Sequence, residues 1–302
     1  MAPLQDVISR HGLDCMFYAD DKQLYIAVNP KKPSSELDRL SSCVEDIIKW
    51  NTDHFLVCNP TKTEVMHLTS RFIKNHSPPL QFLISGDTTI KPSEQVRDLG
   101  VILDKHMNMT LHVNDTCKKI LLSIKSIGRI RKYVSQESLK KLVHALVLSR
   151  LDYTNSLLYG ATRSDLDKLQ RTMNSAARLI TGIKKYEHIS DALRNLHWLP
   201  IECRIKFKIL LTVYKSLNGL APDYVSALTD VRRPTRSLRS SDKLLLTVPK
   251  MNTVTYGQRA FSYVAATLWN SIPDTFRNSV TVEIFKTRLK TFLFKEVYNS
   301  SN

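Results

Sequence analysis

Residues 17–28 read FYADDKQLYIAV, and within them stand two adjacent carboxylates, Asp20 and Asp21. Two short apolar, aromatic-rich runs, Cys15–Tyr18 and Leu24–Val28, flank the segment Ala19-Asp20-Asp21-Lys22, which predicts two strands about an Asp-rich turn. Adjacent carboxylates at a tight turn repel each other unless cations neutralise them. Mg²⁺ is the hard ion that sites of one or two carboxylates plus substrate phosphates hold. Asp is also simply a good turn residue, so from these residues alone a metal site and a plain turn both stand. Other chemical candidates are weaker. His188 and His197 flank one short predicted helix without a third ligand at metal spacing. Cys58 has no His partner in view and reads as an inert thiol. The chain carries no GxGxxG, no P-loop and no nucleophile elbow.

The elements around the Asp pair read as α+β. Ser34 and Ser35 offer N-caps, and Leu37, Leu40, Val44, Ile47 and Ile48 recur at helical spacing, predicting an amphipathic helix over 36–51. Glu64–Leu68, Leu80–Ser85 and Val96–Leu103 are strand-like, with Gly86-Asp87 as a turn. A small sheet with one helix packed on it is the simplest assembly. From about residue 109 the period becomes helical: 111–132, 136–151, 165–181 with Ser164 as cap and Gly182 as stop, 187–196, 201–218 ending at Gly219, 254–269 and 282–298. Phe207, Leu210 and Tyr214 form an apolar stripe of core type. The stretch 231–243, rich in Arg, Ser and Pro, reads as a basic loop.

Composition and charge narrow the function classes. Of 302 residues, 42% are hydrophobic and 24% charged, with only 8 Gly and 12 Pro, which excludes collagen-like and low-complexity chains. No apolar run approaches a membrane span, and the start lacks the basic-then-apolar pattern of a secretory signal. Five scattered Cys without a CxxC pair predict free thiols, an intracellular location in cytoplasm or nucleus, and no zinc site. The net charge is +16, distributed unevenly. Residues 1–104 hold 11 basic and 14 acidic side chains, whereas 105–302 hold 33 and 14, a net of +19. That field favours polyanionic partners. Within 111–132, Lys118, Lys125, Arg129 and Lys132 recur at intervals of seven, four and three, which puts them on one helix face. Leu111, Ile120, Leu121, Ile124 and Ile127 are the apolar residues expected to pack the rest of that helix. A solvated basic face without a partner is the alternative.

FYADDKQLYIAV resembles the YxDD-bearing motif of reverse transcriptases, specifically those of non-LTR (LINE-type) retrotransposons. IIKWNTDHFLVCNPTKTEVM is similar to the next palm motif with its lysine, here Lys62. VRDLGVILD resembles the primer grip, with Asp98, Leu99, Gly100 and Asp104 matching. Further on, LVLSRLDYTNSLLYG, AARLITG, LRNLHWLPIECRIKFKILLTVYKSLNGLAPDYV, LRSSDKLLLTVPK and RAFSYVAATLWNSIP resemble, in order, the region that follows the polymerase core in this group.

The resemblance implies a partial palm over 1–104 (small antiparallel sheet plus helix), thumb-like helices over 105–160 and a basic helical region over 161–302. It implies nucleotidyl transfer by an RNA-directed DNA polymerase using Mg²⁺, with Mn²⁺ as a substitute. Asp20 becomes the direct metal ligand and Asp21 the second acidic contributor, Tyr18, Leu99 and Gly100 lie near the primer, and Lys62 faces the departing pyrophosphate. The partners are an RNA template and RNA–DNA hybrid or DNA, with the thumb face of Lys118, Lys125, Arg129 and Lys132 gripping the backbone. Two departures matter. Lys22 sits where small hydroxyl residues are usual. The family also needs a metal-binding Asp from an upstream strand, a nucleotide-holding helix and fingers, while 17 residues precede Tyr18 and Asp6 and Asp14 lie on the segment feeding the hairpin. The expectation is therefore a C-terminal part of such an enzyme, inactive alone. The alternative is a non-catalytic nucleic-acid-binding module.

Overall fold

A computed structural model of the chain describes residues 2–29, 34–70, 82–84, 88–232 and 244–298. It is α+β and mostly helical, and it divides into two compact units, Met1–Asn108 and Met109–Asn302. Among the described residues no helix is long and apolar enough to cross a membrane.

The first unit opens with α1 (Ala2–Arg10), a helix additional to the expected elements, whose Leu4 and Ile8 sit one turn apart and are fully buried. The strands β1 (Asp14–Tyr18) and β2 (Asp21–Tyr25) pair antiparallel, and α2 (Ser34–Asp53) follows. Leu4 and Ile8 of α1 pack with Leu13 and with Cys43 and Ile47 of α2, and Cys15, Phe17 and Leu24 of the hairpin close over them. The predicted single sheet is instead three separate antiparallel pairs: β1–β2, β3 (Phe82–Ile84) with β4 (Thr88–Ile90), and β5 (Gln95–Asp98) with β6 (Val101–Asp104). Val96–Leu103, expected as one strand-like run, is broken by a two-residue turn at Leu99-Gly100. Both residues have positive φ, 43° and 85°, the backbone of the tight turn that matches strand twist. Among the described residues Glu64–Leu68 joins no ladder, and the Ser93 N–H donates to Val65 O at 2.7 Å. The expected turn at Gly86-Asp87 lies outside the described residues.

The second unit is helical. It runs through α3 (Thr110–Ile130), α4 (Gln136–Val143), a π-helical turn at His144–Leu148, α5 (Ser149–Asp152), α6 (Arg163–Thr181), α7 (Ser190–Asn195), α8 (Ile201–Leu217), α9 (Asp223–Ser226), α10 (Phe261–Ser271), α11 (Asp274–Arg277) and α12 (Val282–Tyr298). One core forms where α8 meets α10 and α12: Tyr214, Trp269 and Phe285 are buried, and the Tyr214 and Phe285 rings stack at 4.3 Å. Leu210 and Tyr214 are core residues as the apolar stripe predicts, with Phe207 partly buried beside them. Helices on both sides of residue 160 pack together, because α3 and α4 both lie against α6. The Arg/Ser/Pro stretch lies outside the described residues from 233 to 243.

The cap of α6 differs from expectation and has structural weight. Thr162, not Ser164, is the N-cap, and its hydroxyl accepts the Asp165 N–H at 3.2 Å while donating to Asp165 Oδ2 at 2.8 Å. Thr110, at the start of α3, donates to the same Oδ2 at 2.7 Å, and Lys168 Nζ reaches Oδ1 at 3.2 Å. Gly182 ends α6 at φ 79°, the stop expected from its sequence position.

Burial alone would raise the Asp165 carboxyl, but the hydrogen bonds from Thr110, Thr162 and Lys168 outweigh it and hold the group below the ordinary carboxylate range. A depressed folded-state value means that the carboxylate stabilises the fold above the unfolded-state pKa and loses that contribution as pH falls through the folded-state value. We predict that Asp165→Ala costs about 2 kcal/mol at neutral pH, the scale of charged hydrogen bonds removed together. In urea melts across pH, the gap between wild type and variant should narrow below about pH 4. A gap that is constant with pH would contradict an ionised Asp165.

Candidate functional site

The Asp pair sits on a tighter turn than the sequence suggests. The loop is only Ala19-Asp20, because Tyr18 pairs with Asp21, Phe17 with Lys22 and Met16 with Gln23. Asp21 and Lys22 therefore belong to β2. Ala19 takes φ 56°, a position that usually goes to glycine and costs an L-residue roughly 1 kcal/mol. Alternation along the strands then sorts the side chains. Phe17, Cys15 and Leu24 point to the α1–α2 core, while Tyr18, Met16 and Asp21 are exposed. Tyr18 and Asp21, directly opposite, share the outer face, with Asp20 at the tip beside them.

This is a surface of hard oxygen donors. Asp20 and Asp21 fit the carboxylate share of a Mg²⁺ or Mn²⁺ site that substrate phosphates would complete. Among the described residues no third His, Cys, Asp or Glu joins them in a metal-holding cluster. Lys62 stands on a separate short turn, Pro60–Lys62, built by Asn59, whose side-chain oxygen accepts the Thr61 N–H at 3.0 Å and the Thr61 hydroxyl at 2.7 Å. Its ammonium is exposed, and among the described residues no ion pair links it to Asp20 or Asp21.

The structure does bring the first and third hairpins together. Gln23 on β2 donates to Asp98 Oδ1 on β5 at 2.5 Å, and the Tyr25 hydroxyl donates to the Gln23 side-chain oxygen. Asp98 directly precedes the Leu99-Gly100 turn, so the link from the Asp pair to that turn is Gln23–Asp98. Asp104, at the far end of the same hairpin, is buried and accepts the N–H groups of His106 (3.0 Å) and Asn108 (3.2 Å), so it organises the turn after β6. The sequence carried no signal for Gln23.

In the helical unit, Lys118 and Lys125 share one face of α3 with Arg129, and all three are exposed. Lys132 does not extend that face as helical spacing implies. The α-helix ends at Ile130, and Lys132 lies on a 3₁₀ turn with its ammonium 4.8 Å from the centre of the Tyr133 ring. The packing expectation for α3 is also partly wrong. Ile120 and Ile127 are buried, but Leu111 and Leu121 are exposed, because α6 covers the stripe of Val113, Cys117 and Ile120 instead. Of the weaker candidates, His197 packs on the Phe294 ring at 5.7 Å, and Cys58 Sγ accepts from Asn51 Nδ2 at 3.1 Å.

Burial, then the negative charge of Asp98, then Cys15, push the Tyr25 phenol above its usual value. We predict that Asp98→Asn moves the Tyr25 titration, followed by ring-carbon NMR, back toward about 10. No change would mean that the two hairpins are not joined in solution. Comparison with protein-family models, curated proteins and solved structures gives no match for this chain.

Proposed function

We propose that the chain is part of a non-LTR-type RNA-directed DNA polymerase, with Asp20 and Asp21 as its metal-binding carboxylates and the helical unit as a nucleic-acid-binding surface. The observation that carries this reading is the Gln23–Asp98 hydrogen bond. It joins the YADD hairpin to the hairpin bearing Leu99 and Gly100, two segments whose sequences separately resemble motifs that meet at a primer terminus.

Tyr18 shares a face with Asp21 and offers the primer end a flat surface beside the carboxylates. When bound, Mg²⁺ or Mn²⁺ supplies charge neutralisation at the attacking and leaving oxygens of an in-line phosphoryl displacement. The protein's own part is positioning. The two-residue turn holds Asp20 at the tip and Asp21 at the head of β2, Leu99 and Gly100 border the primer, and Lys62 offers positive charge to the pyrophosphate from its capped turn. On α3 and the turn after it, Lys118, Lys125, Arg129 and Lys132 touch the backbone of an RNA–DNA hybrid.

A non-catalytic nucleic-acid-binding module is the second reading. It is favoured by one observation, that Lys118, Lys125 and Arg129 lie exposed on one face of α3, a surface that can meet a nucleic-acid backbone without any catalytic carboxylate.

The two readings share a binding prediction and differ in chemistry. The 302-residue chain should bind RNA–DNA hybrid with log affinity falling linearly in log salt. Replacing Lys118, Lys125, Arg129 and Lys132 by Ala should reduce that slope by about 1 for each phosphate no longer neutralised. Equal affinity of the two proteins, or a flat salt response, would remove this face from the binding surface. Mn²⁺ should broaden the amide signals of Ala19–Lys22, and Asp20→Asn with Asp21→Asn should abolish the effect; no broadening would leave only the second reading. Because one hairpin supplies two carboxylates where two ions need more, the chain alone is expected not to extend an RNA-templated primer in Mg²⁺. Extension that disappears in Asp20→Ala would overturn that expectation.

A further inference from the structure

Between α3 and α6 runs an open groove of about 670 Å³. Lys118 and Lys125 line it from α3, and Lys168 and Arg171 from α6, whose cations the spacing argument on α3 alone could not find. Between them lie Leu121 and Leu122, 47% and 58% exposed on a helix whose Val113, Ile120 and Ile127 are buried. Lys168 is held in place by Asn114 Oδ1 at 3.1 Å and by buried Asp165, so the α6 wall is fixed against α3. Past the groove, the cations continue along α3 to Arg129, about 16 Å from Lys118 at 1.5 Å per residue. Just beyond the helix end, on the 3₁₀ turn and off that face, Lys132 lies beside Tyr133, which is 75% exposed.

This combination discriminates between ligands. A duplex presents phosphates outward and keeps its base faces stacked inside. It can touch the cations on the rim, but it is too broad to enter a cleft between two packed helices, and it leaves the leucines wet. An unpaired strand offers both parts at once, charge for the rim and flat base faces for an apolar floor and an exposed aromatic ring. An acidic amphipathic peptide could fill the groove, but it would use neither the cations beyond it nor Tyr133.

We propose that the α3–α6 groove holds an unpaired strand of nucleic acid, with phosphates on Lys118, Lys125, Lys168 and Arg171 and base faces on Leu121, Leu122 and Tyr133. This rests on the nucleic-acid reading above and adds to it a preference for single strands at this groove.

The test uses the full chain with fluorescein-labelled oligothymidine and, separately, RNA–DNA hybrid, read by anisotropy across salt concentrations. The double variant Leu121→Ala/Leu122→Ala removes only exposed side chains, and thermal melts confirm that it folds. It should weaken oligothymidine binding about tenfold while leaving hybrid affinity unchanged. Arg171→Gln should lower the salt slope for oligothymidine by about 1. Tyr133→Ala should weaken the same complex several-fold. If the leucine variant binds oligothymidine as wild type does, or if polyglutamate displaces it as well as unlabelled oligothymidine, the proposal is overturned. Binding of hybrid without binding of oligothymidine would overturn the groove assignment and leave the wider reading standing. Binding of neither would end both.

Discussion

The helical unit depends on one buried carboxylate. Asp165 is 2% exposed, and leaving its charge unpaired there would cost several kcal/mol. Three donors offset that cost, and they come from three different places: Thr162 before α6, Lys168 one turn into it, and Thr110 on α3. Satisfying the charge therefore requires the starts of α3 and α6 to lie together. Once they do, α3 packs on α6 with Val113, Cys117 and Ile120 of α3 and Leu169, Met173 and Ala176 of α6 all buried, and the side of α3 left exposed carries cations and leucines. The groove follows from how the charge is neutralised.

The first unit is organised by turns rather than by a charge. Ala19 and Leu99 both occupy left-handed backbone conformations without being glycine, each at the tip of a tight hairpin. Such strain persists only where the surrounding structure over-determines it. Here the ladders of β1–β2 and β5–β6 and the hydrogen bond from Gln23 to Asp98 do so. The exposed face of the first hairpin carries Tyr18 and Asp21 opposite each other, with Asp20 in the turn between their strands.

The apolar residues of α3 divide between the core and the surface. Ile120 and Ile127 are buried and contribute on the order of 1.5–3 kcal/mol each. Leu121 and Leu122 contribute little to the fold, since about half of each remains in water. Set among cations, they give the groove a floor that charge alone would lack.

Much of this was legible in the sequence. Helical periodicity located α2, α3, α6, α8 and α12, because each buries a stripe with period 3.6 against its own unit. The Asp-rich turn and the stop at Gly182 were readable as local backbone chemistry. What the sequence could not decide was how distant segments meet. It held no sign that Gln23 would reach Asp98, that α6 rather than α3 would provide half of the basic groove, or that Thr162 would displace Ser164 as cap. The single run expected over Val96–Leu103 became a hairpin because two consecutive left-handed residues suit a tight turn, and nothing short of the paired backbone distinguishes that turn from a continuous strand. Periodicity reports how one helix or strand divides its faces. Which face meets which neighbour is set by packing and by buried charge, and those are properties of the tertiary structure alone.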